Sequence, residues 1–327
     1  MVWIVCLIFV EKRNTQYYTN LFNLIHTMDA ISNFEELIDH LRLRGNRKRV
    51  AVVWGSDDYT QKSVMLALEA GFIEALFVGC RESVEKNKVL MRHQDHIAFI
   101  NADNGDDAAE KAVEMVHRGD ADILMKGMLN TDNLLRAVLN KEKGILPRGN
   151  VLTHITVAEF FSYPKLLFFT DSAVIPYPTQ EQRAQQIRYI SHAARCFGIE
   201  CPKVALIHCS EKVQQKHFPF TAGYAELIGR ADKGEFGRCV VDGPMDVKCA
   251  CSADAVAKKG LLSPIGGEAD CLVFPDIEAG NMFYKSLTLF AHAETAAVLQ
   301  GTLCPVVLPS RGDSKLSKFY SLALAAL

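Results

Sequence analysis

From Arg49 onward the sequence alternates short β-rich apolar runs with amphipathic stretches of helical period, and this order predicts an α/β fold with a mainly parallel sheet and flanking helices. Val50–Trp54 is the first run, followed by a helical stretch carrying Met65, Leu66, Leu68 and Ala70. Ala75–Val78, Ile97–Ile100 and Asp122–Met125 repeat the pattern, each with a polar turn and a further helical segment behind it. A second series begins near Leu166–Phe169 and continues through Val204–Ile207, Cys239–Val241 and Cys271–Phe274. Two α/β halves are therefore expected. Residues 144–178 carry Pro147, Gly149, Pro164, Pro176 and Pro178, a density that predicts loops and crossovers and places the domain change there. Val306–Leu308 and a helix from about Lys315 are expected to return to the first half. That half is then discontinuous, 28–155 plus 303–327, and 156–302 form the second domain.

With 327 residues, 49% of them hydrophobic, the chain can build two such cores. Its 36 basic and 38 acidic residues are well mixed, and the net charge of -2 gives no broad attraction for nucleic acid or a membrane surface. Ten cysteines are scattered singly, among them Cys80, Cys209, Cys239 and Cys271, as expected of thiols in a reducing, cytoplasmic compartment. Met1–Val10 is apolar, yet about half the length needed to span a bilayer, and lacks a basic n-region. Met28 opens a stretch that reads like the start of an ordinary soluble protein, so residues 1–27 are expected to be a non-native or disordered extension. There is no short-period repeat, which excludes solenoids and coiled coils.

Three stretches carry chemistry. In the first, the run Pro305–Pro309 empties into Ser310, Arg311, Gly312, Asp313 and Ser314. A strand that stops so delivers polar groups to the carboxyl edge of a sheet, where open α/β folds bind ligands. A guanidinium fork with a neighbouring hydroxyl suits phosphate oxygens, and Gly312 lets the backbone approach. The same residues also read as a helix start, with Asp313 or Ser314 as cap and Arg311 paired to a surface acid; a capped helix N-terminus is itself an anion site, so both readings hold together. In the second, a strand ends at Lys126 and a helix begins at Thr131 or Asp132, with Arg136 about one turn further on a face that can look into the same cleft. Taken alone, it is better described as a capped surface helix with solvated charges. In the third, Phe274–Lys285 leads a strand into a turn with Gly280 and Asn281, which on spacing alone reads as an ordinary βα turn, with a ligand-facing loop as the alternative.

Other signals exclude more than they assign. Asp242-Gly243-Pro244 reads as a turn and Gly266-Gly267 as a flexible loop. Cys249 and Cys251 are spaced wrongly for zinc and have no second Cys/His pair, and the ten histidines form no HExxH set, so no metal is expected. GxGxxG, GxxxxGK[ST] and GxSxG do not occur.

Lys126-Gly127 with Thr131 and Arg136, Thr170-Asp171-Ser172-Ala173, Asp242-Gly243-Pro244, Pro275 through Gly280-Asn281 with Lys285, and Ser310-Arg311 with Asp313-Ser314 occur in one order. Together they resemble the phosphate acetyl/butyryltransferase family, from about Asn33 to the C-terminus, with the Thr170–Pro178 stretch, the GPMDVK region and the SRGDS segment closer to the butyryl branch. The resemblance implies two α/β domains of the isocitrate/isopropylmalate dehydrogenase-like type, an active site in the interdomain cleft, and a homodimer or higher homo-oligomer. It implies a reversible reaction of butanoyl-CoA or another short-chain acyl-CoA with phosphate to give acyl phosphate and CoA, with CoA as substrate and no tightly bound cofactor. The family's serine-arginine pair falls on Ser310 and Arg311 and its second phosphate-binding arginine on Arg136. Two departures stand out. The aspartate that serves the acetyl branch as base lies six residues after the arginine, where this chain has Ser317; Asp313, two residues after it as in the butyryl branch, takes the role of base. Lys248 stands where relatives often place an aspartate.

In this reading Arg311 and Arg136 orient the phosphate, Ser310 hydrogen-bonds the carbonyl oxygen or sulfur, and Asp313 takes the thiol proton, with Lys126, Thr131, Gly280 and Asn281 around the substrate. Transfer is direct, and acylation of Cys209 or Cys304 is not expected. Three alternatives are phosphate acetyltransferase, a metal- and NAD-dependent decarboxylating dehydrogenase of the same fold, for which no aspartate cluster can be assembled, and a binding protein without turnover. Acyl length depends on pocket volume, which spacing does not reveal.

Overall fold

The computed structural model describes residues 30–309 and 312–327; the expectation for residues 1–27 lies outside them. Among the described residues, eleven strands form one sheet: β1 Lys48–Val53, β2 Ile73–Val78, β3 Ile97–Ile100, β4 Ile123–Lys126, β5 Thr153–Glu159, β6 Leu167–Thr170, β7 Lys203–Ile207, β8 Val240–Met245, β9 Cys271–Val273, β10 Glu294–Gln300 and β11 Val306–Val307. The α-helices among the described residues are α1 Phe34–Arg44, α2 Asp58–Ala70, α3 Arg81–Lys86, α4 Gly105–Arg118, α5 Thr131–Val138, α6 Gln180–Cys196, α7 Tyr224–Asp232, α8 Val247–Cys251, α9 Ala253–Lys259, α10 Ile277–Phe290 and α11 Lys315–Ala326. Their starts follow local chemistry: Asn33, Asp57 and Asn104 cap α1, α2 and α4 through their side chains, and Thr179 with Gln182 forms a capping box on α6. Each cap is worth about 1 kcal/mol. None of the described helices is long and apolar enough to cross a membrane.

The strand order is β3-β2-β1-β4-β11-β10-β5-β6-β9-β7-β8. The first five strands are parallel, as are the last four, and the pair β10–β5 between them is antiparallel to each other and to its neighbours β11 and β6. The two parallel blocks therefore run in opposite directions, and their carboxyl ends approach the central pair from opposite edges. β5 corrects the expectation of loops and crossovers across 144–178. The prolines flank that strand and leave Thr153–Glu159 with all its backbone donors.

The two faces of the sheet differ. On one, a single hydrophobic cluster runs across both blocks: Val50, Val52, Met125 and Val307, then Ile155, Val157 and Val298, then Phe168, Val204 and Val273, under α1, α2, α6, α7 and α11. On the other, the packing is split into two clusters, one under α4 and α5 with Ala51, Leu124 and Val306, the other under α8 to α10 with Leu167, Phe169 and Leu272. Strand alternation explains the split, because the positions of β5 and β10 that face this way include His154, Thr156, Thr295 and Ala297. β11 is only two residues long and meets β10 at one pair, Leu299 opposite Val306. Beyond it, serines of α11 serve the backbone of β10: Ala297 N–H donates to Ser321 Oγ (2.9 Å) and Ser317 Oγ donates to the Thr295 carbonyl (2.8 Å).

Candidate active site

A cavity of about 410 Å³ lies over the split face, lined by strand ends from both blocks. β4 brings Lys126 and α5 brings Thr131; Leu308 and Pro309 follow β11, and Ser172 and Ala173 follow β6. Asn281, Tyr284 and Lys285 come from α10, Asp313 precedes α11, and His154 and Ala297 come from the central pair. Two ammonium groups, a carboxylate, a phenol and an imidazole thus share one hollow with apolar walls from Leu129, Leu308 and Pro309. Such a mixture suits a ligand with an anionic end and a short apolar end.

Each polar group has a local reason for its position. Lys126 is 5% exposed at the end of β4, and Gly127 behind it is required, because a Cβ there would strike the Trp54 carbonyl. Asp171 organises the turn after β6: its Oδ1 accepts from the backbone of Ala173 (2.8 Å) and Val174 (2.9 Å), and its Oδ2 from Thr153 Oγ1 (2.8 Å), His154 N–H (3.2 Å) and Ile175 N–H (3.3 Å). This buried carboxylate is saturated by donors and holds Ser172 against β5. Asn281 Nδ2 donates to the Ser172 carbonyl (2.9 Å), and a Cβ on Gly280 would fall on the Asp171 carbonyl oxygen. α10 can therefore lie against the turn only with glycine at that position. Buried Arg183 donates to the carbonyls of Phe274 (3.3 Å) and Pro275 (2.7 Å), with its guanidinium over the Phe220 ring at 5.1 Å, and fixes the entry to α10.

Asp313 Oδ1 accepts from Tyr284 O–H at 3.1 Å. Burial, then the Asp313 carboxylate, raises the Tyr284 phenol well above its ordinary value, so it stays a donor. Ser314, not Asp313, caps α11, its Oγ accepting from Ser317 N–H at 3.0 Å. Ser317, at the acetyl-branch offset, lines the cavity with its hydroxyl bound to Thr295. His154 Nδ1 lies 3.0 Å from Ser172 Oγ and 3.2 Å from Thr156 Oγ1.

Of the residues expected from the sequence, Lys126, Thr131, Asn281 and Asp313 come together here, and Gly280 packs directly behind. Ser310 and Arg311 lie outside the described residues. Arg136 lines a separate cavity of about 870 Å³ between α4 and α5, with Asp106, Asp107, Lys111, His117 and Lys143. Helical phase accounts for this, since five residues after Thr131 is a rotation of about 140°. His154 escaped the sequence reading because it sits inside a strand, where its one signal is a polar residue two before Thr156 on the same face. Cys209 and Cys304 do not line the cavity, and burial pushes the Cys304 thiol up to about 12. Cys249 stands with Glu211 and Asp246, whose carboxylates both accept from Lys259 Nζ (2.6 and 2.8 Å).

The chain is similar to several known proteins. The family model described as phosphate acetyl/butaryl transferase matches residues 100–326. A phosphate butyryltransferase of Clostridium acetobutylicum is 38% identical over 299 residues, 91% of this chain and 98% of that protein. A phosphate acetyltransferase of Thermotoga maritima is 35% identical over 285 residues, covering 87% and 96%. The crystal structure of a branched-chain phosphotransacylase from Enterococcus faecalis V583 superposes with a TM-score of 0.75 at 31% identity, covering 85% of this chain and 97% of that one. On the extent of the family match and these identities, the chain belongs to the phosphate acetyl/butaryl transferase family.

Proposed function

We propose that this protein transfers a short-chain acyl group between CoA and inorganic phosphate, with butanoyl-CoA + phosphate = butanoyl phosphate + CoA as the main reaction. The observation that carries the reading is the single hollow in which Lys126 and Lys285 stand beside Asp313, His154 and the apolar Leu129, Leu308 and Pro309. Cations there grip phosphate oxygens, and the apolar wall takes the acyl chain. Relatives named phosphate butyryltransferase at 38% and 35% identity favour butanoyl; the Thermotoga relative keeps acetyl as the second choice. One methylene is worth about 1 to 3 kcal/mol in such a pocket. Phosphate-dependent CoA release, measured on acyl-CoAs of two to five carbons, tests reaction and selectivity together. Absence of release with every acyl-CoA overturns the reading, and a maximum at acetyl-CoA overturns the butanoyl assignment.

Phosphate, already charged, attacks the thioester carbon once cations orient it, and CoA leaves; in reverse the CoA thiol must lose its proton. On the resemblance of the Ser310–Ser314 segment to the family's, Arg311 is assigned to phosphate, Ser310 to the carbonyl oxygen or sulfur and Asp313 to the role of base for the thiol. Arg311→Ala is expected to lower kcat/KM by roughly 10² or more; a change under threefold removes it from the site. Arg136 is assigned to phosphate on the same resemblance, and an unchanged KM for phosphate in Arg136→Ala would withdraw it.

The division into residues 28–155 plus 303–327 and 156–302, facing each other across the cavity, belongs to the same proposal, as does kinship with the isocitrate/isopropylmalate dehydrogenase-like folds. Support for the kinship is a likeness in fold to a 4-hydroxythreonine-4-phosphate dehydrogenase of Salmonella typhimurium at a TM-score of 0.53 and 14% identity. A homodimer is proposed from the exposed Met282, Leu289 and Phe290 on α10, and a cytoplasmic site from the unpaired thiols among the described residues. The reaction as written needs only acyl-CoA and phosphate, with no tightly bound cofactor.

A further inference from the structure

His154 is 9% exposed, lies on the split face of the sheet and lines the cavity. Its Nδ1 faces two hydroxyls, Ser172 Oγ and Thr156 Oγ1, and its Nε2 has no hydrogen-bond partner among the described residues. Nor is Nε2 sealed off: His40, in contrast, has both ring nitrogens buried and unpartnered, as expected of a histidine that only packs. A ring fixed through one nitrogen and open through the other, inside the site, is arranged to exchange a proton with what fills the cavity.

The charged groups around it are consistent with that task. Asp171 stands behind the turn after β6, Asp313 before α11, Lys126 at the end of β4, and Tyr284 and Lys285 on α10. Burial lowers His154 below its ordinary 6.5, opposed by the charges of Asp171 and Asp313, so the ring is neutral at neutral pH and able to accept. Imidazole is by nature a stronger base than a carboxylate and is better matched to a thiol.

We propose, resting on the acyl-transfer reading above, that His154, in place of Asp313, is the catalytic residue that accepts the CoA thiol proton, at Nε2, with Ser172 as its positioning residue. Nδ1–H donates to Ser172 Oγ. When CoA attacks acyl phosphate, the S–H bond breaks and its proton passes to Nε2. The C–S bond forms, the C–O bond to phosphate breaks, and phosphate leaves with the electron pair. The imidazolium so formed is balanced by Asp313. In the opposite direction phosphate oxygen bonds to the thioester carbon, the C–S bond breaks, and the imidazolium returns its proton to sulfur.

The test follows acyl-CoA formation from acyl phosphate and CoA between pH 5 and 9 in the wild type, His154→Gln and Ser172→Ala. Gln keeps a polar group near the Nε2 position but cannot act as base. Its kcat is expected to fall roughly 10²-fold at pH 7, the typical worth of a general base, with the KM for acyl phosphate little changed. Its residual rate should climb toward pH 8.5, about where a thiol ionises without help. Ser172→Ala should lose less and keep the acid limb of the wild-type profile. His154→Gln within threefold of wild type, or with the wild-type pH profile, overturns the proposal. Independently of any variant, 15N NMR of the native imidazole is expected to show the proton on Nδ1; a neutral ring protonated on Nε2 overturns it as well. A wild type without phosphate-dependent CoA release defeats the acyl-transfer reading, whereas an active wild type with an indifferent His154→Gln defeats this inference alone.

Discussion

The two faces of the sheet are built from the same strands and solve different problems. On the continuous face, Val50, Ile155, Phe168 and Val204 belong to one core that ties both parallel blocks together under five helices. On the split face, the central pair turns His154, Thr156 and Ala297 outward, so two smaller cores stop short of each other and leave the cavity between them. One set of residues in β5 therefore contributes cohesion and the alternate set contributes chemistry, one residue apart. The difference teaches that this fold gains its site by interrupting apolar packing on one side while keeping it whole on the other.

That contrast can be broken. Phe168→Ala, in the continuous core, is expected to lose about 3 to 5 kcal/mol of stability while the kcat of the folded fraction stays put; an equal loss of kcat would show that the faces are not independent. Gly280→Ala, behind the split face, should do the reverse. Its Cβ displaces the Asp171–Ser172 turn, and a shift of about 1 Å in a site costs about 10²-fold in rate, so unchanged kcat/KM would remove that turn from the site. Ser321→Ala leaves the Ala297 N–H without its acceptor and should cost about 1 to 3 kcal/mol in chemical denaturation. A smaller change would mean that the edge of β10 finds another partner.

pH sharpens the comparison further. His154 is held below its ordinary 6.5 by burial, so below that pH the unfolded chain takes a proton that the native chain refuses. Stability is then full above pH 6.5 and is lost as pH falls toward the lowered native value. Melting curves of the wild type should drop across that window more steeply than those of His154→Gln, and parallel curves would show that burial does not hold the ring below its unfolded value. The smallest effect is expected at the exposed Arg42–Asp39 pair on α1, where Arg42→Ala should change stability by less than about 1 kcal/mol.

The parallel strands were legible because buried βα units write themselves as apolar runs between amphipathic helices, and Val50–Trp54, Ile97–Ile100 and Cys271–Phe274 all fall on or beside observed strands. The antiparallel pair was not. Thr153–Glu159 alternates polar and apolar side chains because one face meets the cavity, and its neighbourhood of prolines reads as loop; Glu294–Gln300 carries small alanines where space is needed. The site divides along the same line. Lys126, Asn281 and Asp313 sit at strand ends or helix starts, where polar residues after apolar ones stand out. His154 hides inside a strand whose flanking prolines mask its pattern, and the facing of Arg136 turns on a helical phase that sequence spacing alone does not settle.

The insertion of β11 between β4 and β10, with α11 laid across β10 and α2, also bears on how the molecule is made. During synthesis the strands from β1 to β4 emerge with one edge of β4 still lacking its neighbour, and that neighbour is supplied by residues 306–307, far later in the chain. Until then the nascent protein presents an open sheet edge to its surroundings. Chaperone demand during translation should accordingly be greatest before this strand leaves the ribosome.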